Sequence, residues 1–214
     1  MLDVSVLVTA GPTVERIDPV RYITNRSTGK MGYAIAEAAA ARGARVTLIS
    51  GPTRLDCPAG VERVDVETSA QLCEAVLARG EAADAVIQAA APADFRPRNY
   101  SAHKIKKSGE DMELQLEATT DIAAALGRRK RIGQVLVAFA AETDDLIENA
   151  EKKLEKKNCD LIVANDVSRS DAGFGVDTNV ITLISRGGVQ PLPRMSKREA
   201  ADAILDAVKE RLRR

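Results

Sequence analysis

Two features of this sequence are suited to holding phosphate: a glycine-bearing segment at residues 9–32 and a lysine pair, Lys153 and Lys157. The segment reads T-A-G-P-T-V-E-R-I-D-P-V-R-Y-I-T-N-R-S-T-G-K-M-G. It joins an apolar run to an alanine-rich one, so it is a strand-to-helix connection, and it is far longer than the ~2–6 residues usual there. Ser27 or Thr28 can cap the helix that follows, and free N–H groups at a helix start suit a phosphate. Gly29 and Gly32 admit a ligand close to the backbone. The same spacing also fits a capped helix whose glycines serve packing alone. It is neither the G-x-G-x-x-G of dinucleotide binders nor a P-loop.

The lysines sit on a predicted helix at residues 145–157. Leu146, Ile147, Ala150 and Leu154 form an apolar stripe about 100° wide. Lys153 and Lys157 fall at one edge of that stripe, whereas Lys152 and Lys156 fall opposite it. The first pair can reach into a cleft; lysine stems lying along an apolar edge give the same pattern.

Short apolar runs at residues 4–10, 44–50, 84–89, 134–139 and 160–164 read as strands. They alternate with helical patterns at 31–42, 70–79 and 145–157. The fold expected is a single α/β domain over residues 1–214: a doubly wound, mostly parallel Rossmann-like sheet with helices on both faces. Ligands of such sheets bind beyond the carboxyl ends of the strands. The loops expected there are 11–28, 90–107, 140–143 and 165–175. Residues 91–117, which end in an alternating run at 112–117, and a hairpin at 178–193 break the pattern. They predict a small antiparallel extension or flap. Ser196 and Glu199 form a capping box before the last helix.

Composition narrows the classes. The chain has 214 residues, with 45% hydrophobic and 29% charged, enough for a core without metal or disulfide. Lys plus Arg and Asp plus Glu each total 31, so no overall attraction to nucleic acid or to anionic membrane is expected. Cys57, Cys73 and Cys159 lack metal-ligand spacing and read as reduced thiols of a cytoplasmic protein. His103 is the single histidine, which excludes a two-histidine mechanism. No apolar run reaches the ~20 residues of a membrane span. No signal peptide is expected, because residues 4–10 read directly as a strand.

Taken whole, residues 9–32 closely resemble the nucleotide-binding signature of bacterial phosphopantothenate–cysteine ligases. The resemblance extends over nearly the full chain. It includes A-A-A-P-A-D-F-R at 89–96, K-I-K-K at 104–107, F-A-A-E-T at 139–143, K-L-E-K-K-N-C-D-L-I-V-A-N-D at 153–166 and P-L-P-R-M-S-K at 191–197. In many bacteria this ligase is fused behind a flavin-dependent decarboxylase, and the family members dimerise.

The resemblance implies a reaction. A carboxylate of 4′-phosphopantothenate attacks the α-phosphate of CTP and expels pyrophosphate, giving an acyl-cytidylate. The amine of L-cysteine then displaces CMP. Charge builds on phosphoryl oxygens, so cations and positioning matter most, and Mg2+ on the phosphates is implied. By resemblance, Asn25 holds the acyl-cytidylate, and Lys104 serves the chemistry from a loop that closes over the site; Arg21 either meets a substrate phosphate or carboxylate or forms a surface or structural salt bridge. Gly11, Ser27, Gly29, Gly32, Gln88, Ala89, Ala90, Asp94, Lys104, Phe139, Lys153 and Lys157 are expected around the nucleotide, with Thr120, Asp121, Ile122 and Ala123 at the base. Asn25, Ala90, Ala91 and Asn165 are expected at the other substrates. Metal ligands are not identified. One departure stands out: Thr119-Thr120-Asp121-Ile122 replaces the usual N-P-D-I, so a proline constraint is absent.

Two other readings compete. A nicotinamide- or flavin-dependent oxidoreductase on the same fold requires a glycine fingerprint that this chain lacks. A short-chain enzyme also needs Tyr-x-x-x-Lys on a helix, and the one pair with that spacing, Tyr100 and Lys104, falls in a loop. A non-catalytic nucleotide-binding module would bind without turnover, and Asn25, Lys104, Lys153 and Lys157 argue against it. Titrating NADPH and CTP separately separates the first rival from the ligase reading.

Overall fold

The computed structural model describes residues 1–109, 111–142, 146–166 and 175–212. Parts of the expected connections at 140–143 and 165–175, and the first residue of the expected helix at 145–157, lie outside the described residues.

Eight strands form the main sheet: β1 Ser5–Ala10, β2 Arg45–Ser50, β3 Val61–Asp65, β4 Ala85–Gln88, β5 Val135–Glu142, β6 Leu161–Asp166, β7 Ile181–Ser185 and β8 Gly188–Pro191. Their spatial order is β8-β7-β6-β5-β4-β1-β2-β3. The first six are parallel, and β7 and β8 add on antiparallel beyond β6. The parallel part has the doubly wound order 3-2-1-4-5-6, with its switch point between β1 and β4. There Val8 lies opposite both Leu48 and Ile87.

Five helices cover the sheet: α1 Lys30–Ala41, α2 Ser69–Gly80, α3 Ile122–Arg129, α4 Leu146–Lys156 and α5 Lys197–Leu212. Strand side chains alternate between faces. Val6, Val8 and Ala10 of β1 join a core with Ile35 and Ala38 of α1 and Ile204 and Leu205 of α5. Leu7 points the other way, toward Leu72 and Val76 of α2, Leu126 of α3 and Leu154 of α4. Each such valine, leucine or isoleucine, fully buried, stabilises the fold by about 1.5–3 kcal/mol.

Several expectations change. β3 (V-E-R-V-D) and α3 were not legible as elements. The hairpin at 178–193 extends the main sheet as β7 and β8. The alternating run at 112–117 does not: only Leu116–Ala118 pairs, with Phe95–Pro97, in a separate ladder. A second ladder joins Glu15–Arg16 to Tyr22–Ile23. Together they make a flap whose Tyr22, Phe95, Tyr100, Met112 and Leu116 are exposed. Ile147 is 47% exposed, so it is not part of the buried stripe of α4, which comes down to Ala150 and Leu154. Ser196 and Glu199 do form the expected reciprocal cap, with the Ser196 N–H and hydroxyl donating to Glu199 Oε2 at 2.8 Å each and the Glu199 N–H donating to Ser196 Oγ at 3.2 Å.

The cysteines are free thiols: Cys57 exposed, Cys73 half-buried and Cys159 buried just before β6. Burial pushes the Cys159 thiol up to about 12. Among the described residues no helix is long and apolar enough to cross a membrane.

Candidate active site

A cavity of about 370 Å³ lies over the carboxyl ends of β1, β4, β5 and β6. It opens where the chain leaves β1 toward one face of the sheet and β4 toward the other, the usual ligand position in such folds.

The wall on the α3–α4 side carries Thr120, Asp121, Ile122, Ala123, Lys153 and Lys157. Asp121 caps α3, accepting from the Ala124 N–H at 3.0 Å, and its other oxygen meets Lys157 Nζ at 3.2 Å. Burial opposes ionisation of Asp121, but the Ala124 N–H and the Lys157 ammonium outweigh it and hold the carboxyl below its ordinary value. Lys157 is placed by close backbone packing: a Cβ on Gly127 would lie 1.9 Å from the Lys157 carbonyl oxygen. Lys153 and Lys157 are half-buried, whereas Lys152 and Lys156 are exposed, and Lys152 pairs with Glu148 at 2.6 Å. The helical spacing predicted this division. Where the proline is absent, Thr119 fixes the segment instead: its N–H donates to the Asp94 carbonyl at 2.9 Å and its hydroxyl to the Ala93 carbonyl at 2.7 Å.

The floor is built from strand ends. Thr9 Oγ1 donates to Gln88 Oε1 at 2.6 Å and accepts from the Ala90 N–H at 3.0 Å. The Ala91 N–H donates to the Gly11 carbonyl at 2.9 Å. Gln88, Ala89, Ala90, Ala91, Asp94, Phe139 and Asn165 line the cavity. Gly11 does not; it supports Ala91 from behind. Phe139 packs against the α1–α5 core, on the face of the sheet opposite Ile122 and Ala123. Asn165 Oδ1 is buried and has no hydrogen-bond partner among the described residues.

The opposite wall comes from α1 and α5. Neither Ser27 nor Thr28 caps α1, contrary to expectation. The N-cap is Gly29, at φ 79° and ψ −12°, with no side-chain cap, a left-handed conformation that glycine adopts without strain. Ser27 instead accepts from the Gly29 N–H at 3.4 Å, and its own N–H donates to Asn25 Oδ1 at 2.8 Å. Ser27, Gly29 and Gly32 line the cavity. The chief constraint on Gly32 is packing, however, because a Cβ there would lie 2.6 Å from Ala10 Cβ and 2.8 Å from the Thr9 carbonyl oxygen. Lys30, Asn179 and Lys197 also line this wall and were missed in the sequence. The signal available was a lysine at the first position of two helices, where the dipole disfavours a cation.

Besides Gly11, three expected residues do not line the cavity: Arg21, Asn25 and Lys104. Asn25 lies at its margin, where Nδ2 donates to the Ala91 carbonyl and so ties the first loop to the end of β4. Arg21 belongs to a structural cluster. Asp18 is 1% exposed and accepts from the Arg21 side chain at 2.6 and 3.0 Å and from the N–H groups of Val20, Arg21 and Ile105. Burial opposes ionisation of Asp18, but these donors hold its carboxyl well below the ordinary carboxylate range. Arg21 also donates to the Ile105 carbonyl at 2.5 Å, and the Ser101 N–H donates to the Ile17 carbonyl at 3.0 Å. The lysine-bearing loop is therefore docked on the first loop, and Lys104 is exposed.

Known proteins share this architecture. Residues 1–212 match the model of the "DNA/pantothenate metabolism flavoprotein C-terminal domain". The chain is 53% identical over 205 residues to the coenzyme A biosynthesis bifunctional protein CoaBC of Bacillus subtilis (strain 168), covering 95% of this chain and 50% of that protein. It thus spans about half the length of the curated relatives it matches. The crystal structure of the C-terminal domain of a coenzyme A biosynthesis bifunctional protein CoaBC superposes with a TM-score of 0.85 at 42% identity, covering 100% of this chain and 97% of that one. A DNA/pantothenate metabolism flavoprotein from Streptococcus pneumoniae superposes with a TM-score of 0.83 at 25% identity, covering 97% and 99%. The chain belongs to the DNA/pantothenate metabolism flavoprotein C-terminal domain family.

Proposed function

We propose that this chain joins 4′-phosphopantothenate to L-cysteine with CTP, acting in coenzyme A biosynthesis. The observation that carries the reading is the cavity itself: Lys153 and Lys157 face the N-terminus of α1 across the strand ends, in a chain 53% identical to a coenzyme A biosynthesis protein. A carboxylate oxygen of phosphopantothenate bonds to the α-phosphorus of CTP, and the bond to pyrophosphate breaks. The cysteine nitrogen then bonds to the acyl carbon, and CMP leaves with the electron pair of the broken C–O bond.

The residues divide this work. Lys153 and Lys157 hold triphosphate oxygens and offset the charge that builds on them. N–H groups in the first turn of α1 assist. Thr120 to Ala123 border the base, and Thr119 holds that segment to residues 93–94. Asn25 lies beside Ala91, where a primary amide can hold a carbonyl or phosphoryl oxygen of the acyl-cytidylate without acting as a base. Among the described residues no group of three His, Cys, Asp or Glu gathers that could hold a metal. Magnesium would therefore enter on the triphosphate oxygens, where it neutralises charge.

The exposed apolar flap supports a homodimer, since contiguous apolar surface marks association sites. Such a dimer would set Arg21 and Lys104 beside a second copy. A flavin-dependent decarboxylase as the remaining half of a longer chain fits the bifunctional relatives, and the cytoplasm fits the reduced thiols. The deciding experiment measures pyrophosphate release with phosphopantothenate and cysteine, comparing CTP with ATP. Release with CTP, and much less with ATP, is expected; release with neither would end the ligase reading.

A further inference from the structure

We infer that Thr53 is a positioning residue for the nucleotide: its methyl group holds the glycine cap of α1 in the shape that turns the N–H groups of that helix start toward the triphosphate. The inference rests on the ligase reading and deepens its account of the phosphate end of the cavity.

Thr53 follows β2 by three residues and does not line the cavity. It stands behind it. Two glycines in the left-handed region meet there: Gly11 after β1, at φ 80°, and Gly29 before α1, at φ 79°. An added Cβ on either would lie 2.8 Å from Thr53 Cγ2. One methyl therefore fills the space that both side chains would need. A Cβ on Gly29 would also come within 3.3 Å of the Gly11 nitrogen, so the two glycines pack on each other. Lacking a Cβ, they enter this conformation freely, and the same freedom lets them leave it. The methyl closes that route.

The hydroxyl explains why the methyl points there. Thr53 Oγ1 accepts from the Leu55 N–H at 3.4 Å and donates to Tyr33 Oη at 3.1 Å. Tyr33 Oη lies 2.9 Å from Ser50 Oγ, which donates to the Gly51 carbonyl at 2.8 Å. Because the Ser50 proton is engaged, Tyr33 donates to Ser50, and the chain runs one way from Leu55 to Gly51. Tyr33 is 6% exposed and carries the Arg63 guanidinium over its ring at 5.8 Å. With Oγ1 held on that side, Cγ2 faces the two glycines. Tyr33 belongs to α1, so the helix anchors the residue that shapes its own cap.

What the methyl holds faces the cavity. No side chain caps α1, so the backbone shape at Gly29 sets the direction of the first N–H groups. A helix start favours an anion only while those groups point at it. Gly29 lines the cavity, and Gly11 accepts from the N–H of Ala91, which lines it too, at 2.9 Å. Thr53 thus supports the helix start and the end of β4 through one contact surface.

The test separates the methyl from the hydroxyl. Thr53→Ser keeps the hydroxyl chain and loses the methyl. It should weaken affinity for CTP and for inorganic triphosphate roughly twofold to fivefold, the contribution of a helix start to anion binding. Its affinity for cytidine and its KM for cysteine should not move. Thr53→Val keeps the methyl and breaks the chain. It should lower Tm by about 2–4 °C, as for one lost hydrogen bond, and bind CTP as the wild type does. Titration calorimetry reads the affinities and thermal scans the stability. Wild-type binding in Thr53→Ser, weaker cytidine binding in it, or equal weakening of CTP by both variants would overturn the inference while the ligase reading stands. A wild type that binds triphosphate but makes no product with CTP ends the ligase reading, and the triphosphate comparison still decides Thr53. One that binds neither sinks both.

Discussion

Both walls of the cavity carry two lysines, in opposite electrostatic settings. Lys153 lies in the last turn of α4 and Lys157 just beyond it, at the negative end of that helix, where a cation is stabilised by about 0.3–1 kcal/mol without any ligand. Lys30 and Lys197 begin α1 and α5, at the positive ends. The first pair is favoured by its own helix, and Lys157 has Asp121 beside it. The second pair is placed against the local field. Position along a helix thus separates cations that the fold itself favours from cations whose placement points to a ligand.

The comparison can be tested from the strongest effect down. Lys153→Ala should raise KM for CTP roughly 10–100-fold, the cost of a charged hydrogen bond, and leave KM for cysteine alone. Steady-state kinetics read both; an unmoved KM for CTP would leave Lys153 a lysine on an apolar edge. Gly127→Ala should act on the same wall through the backbone. A methyl 1.9 Å from the Lys157 carbonyl oxygen forces α3 and α4 apart, at about 1–3 kcal/mol, or roughly 2–12 °C in Tm. Calorimetry measures the loss, and a variant as stable as wild type would refute the contact.

Asn25→Ala removes bonds to the Ala91 carbonyl and from the Ser27 N–H. CTP affinity should stay within about twofold, while amide formation slows about tenfold, near the upper end for a single neutral hydrogen bond. Rapid quenching should then catch accumulated acyl-cytidylate; full turnover would return Asn25 to a turn residue. The smallest effect concerns acid. Asp18 and Asp121 both titrate below the 3.8 of an ordinary carboxyl. Depressed folded values mean that their contribution to stability is fully present above about pH 4 and is lost as pH falls toward those values. Urea midpoints should fall below about pH 4, and Asp18→Asn should flatten that fall. A midpoint that drops just as steeply in the variant would show that Asp18 is not the group responsible.

The sequence was most legible where burial is two-sided. The runs that became β1, β2, β4, β5 and β6 are apolar on both faces, because helices cover both. β3 is the outer parallel strand and holds two valines among three charged residues without strict alternation, so it resembles a loop. α3 is only eight residues long, too short for periodicity to emerge, although Asp121 is its cap. In the site, Lys153 and Lys157 were readable because one helix fixes their spacing. Lys30, Asn165, Asn179 and Lys197 come from four elements that meet only when the sheet forms, and no local pattern links them. The structural tie of Arg21 was hard to read for a related reason. Its partner, Asp18, lies three residues away, but the burial that ties them together also depends on Ile105 from a distant loop.

If the chain acts on cysteine as proposed above, Cys159 has a consequence. Cells hold cysteine alongside its oxidised dimer, and a protein thiolate exchanges with that dimer in proportion to its ionised fraction. With the Cys159 thiol pushed up to about 12, roughly one molecule in 10⁵ carries the thiolate at neutral pH. The chain can thus meet cysteine in either oxidation state without cross-linking its core, and oxidative damage would begin at the exposed Cys57.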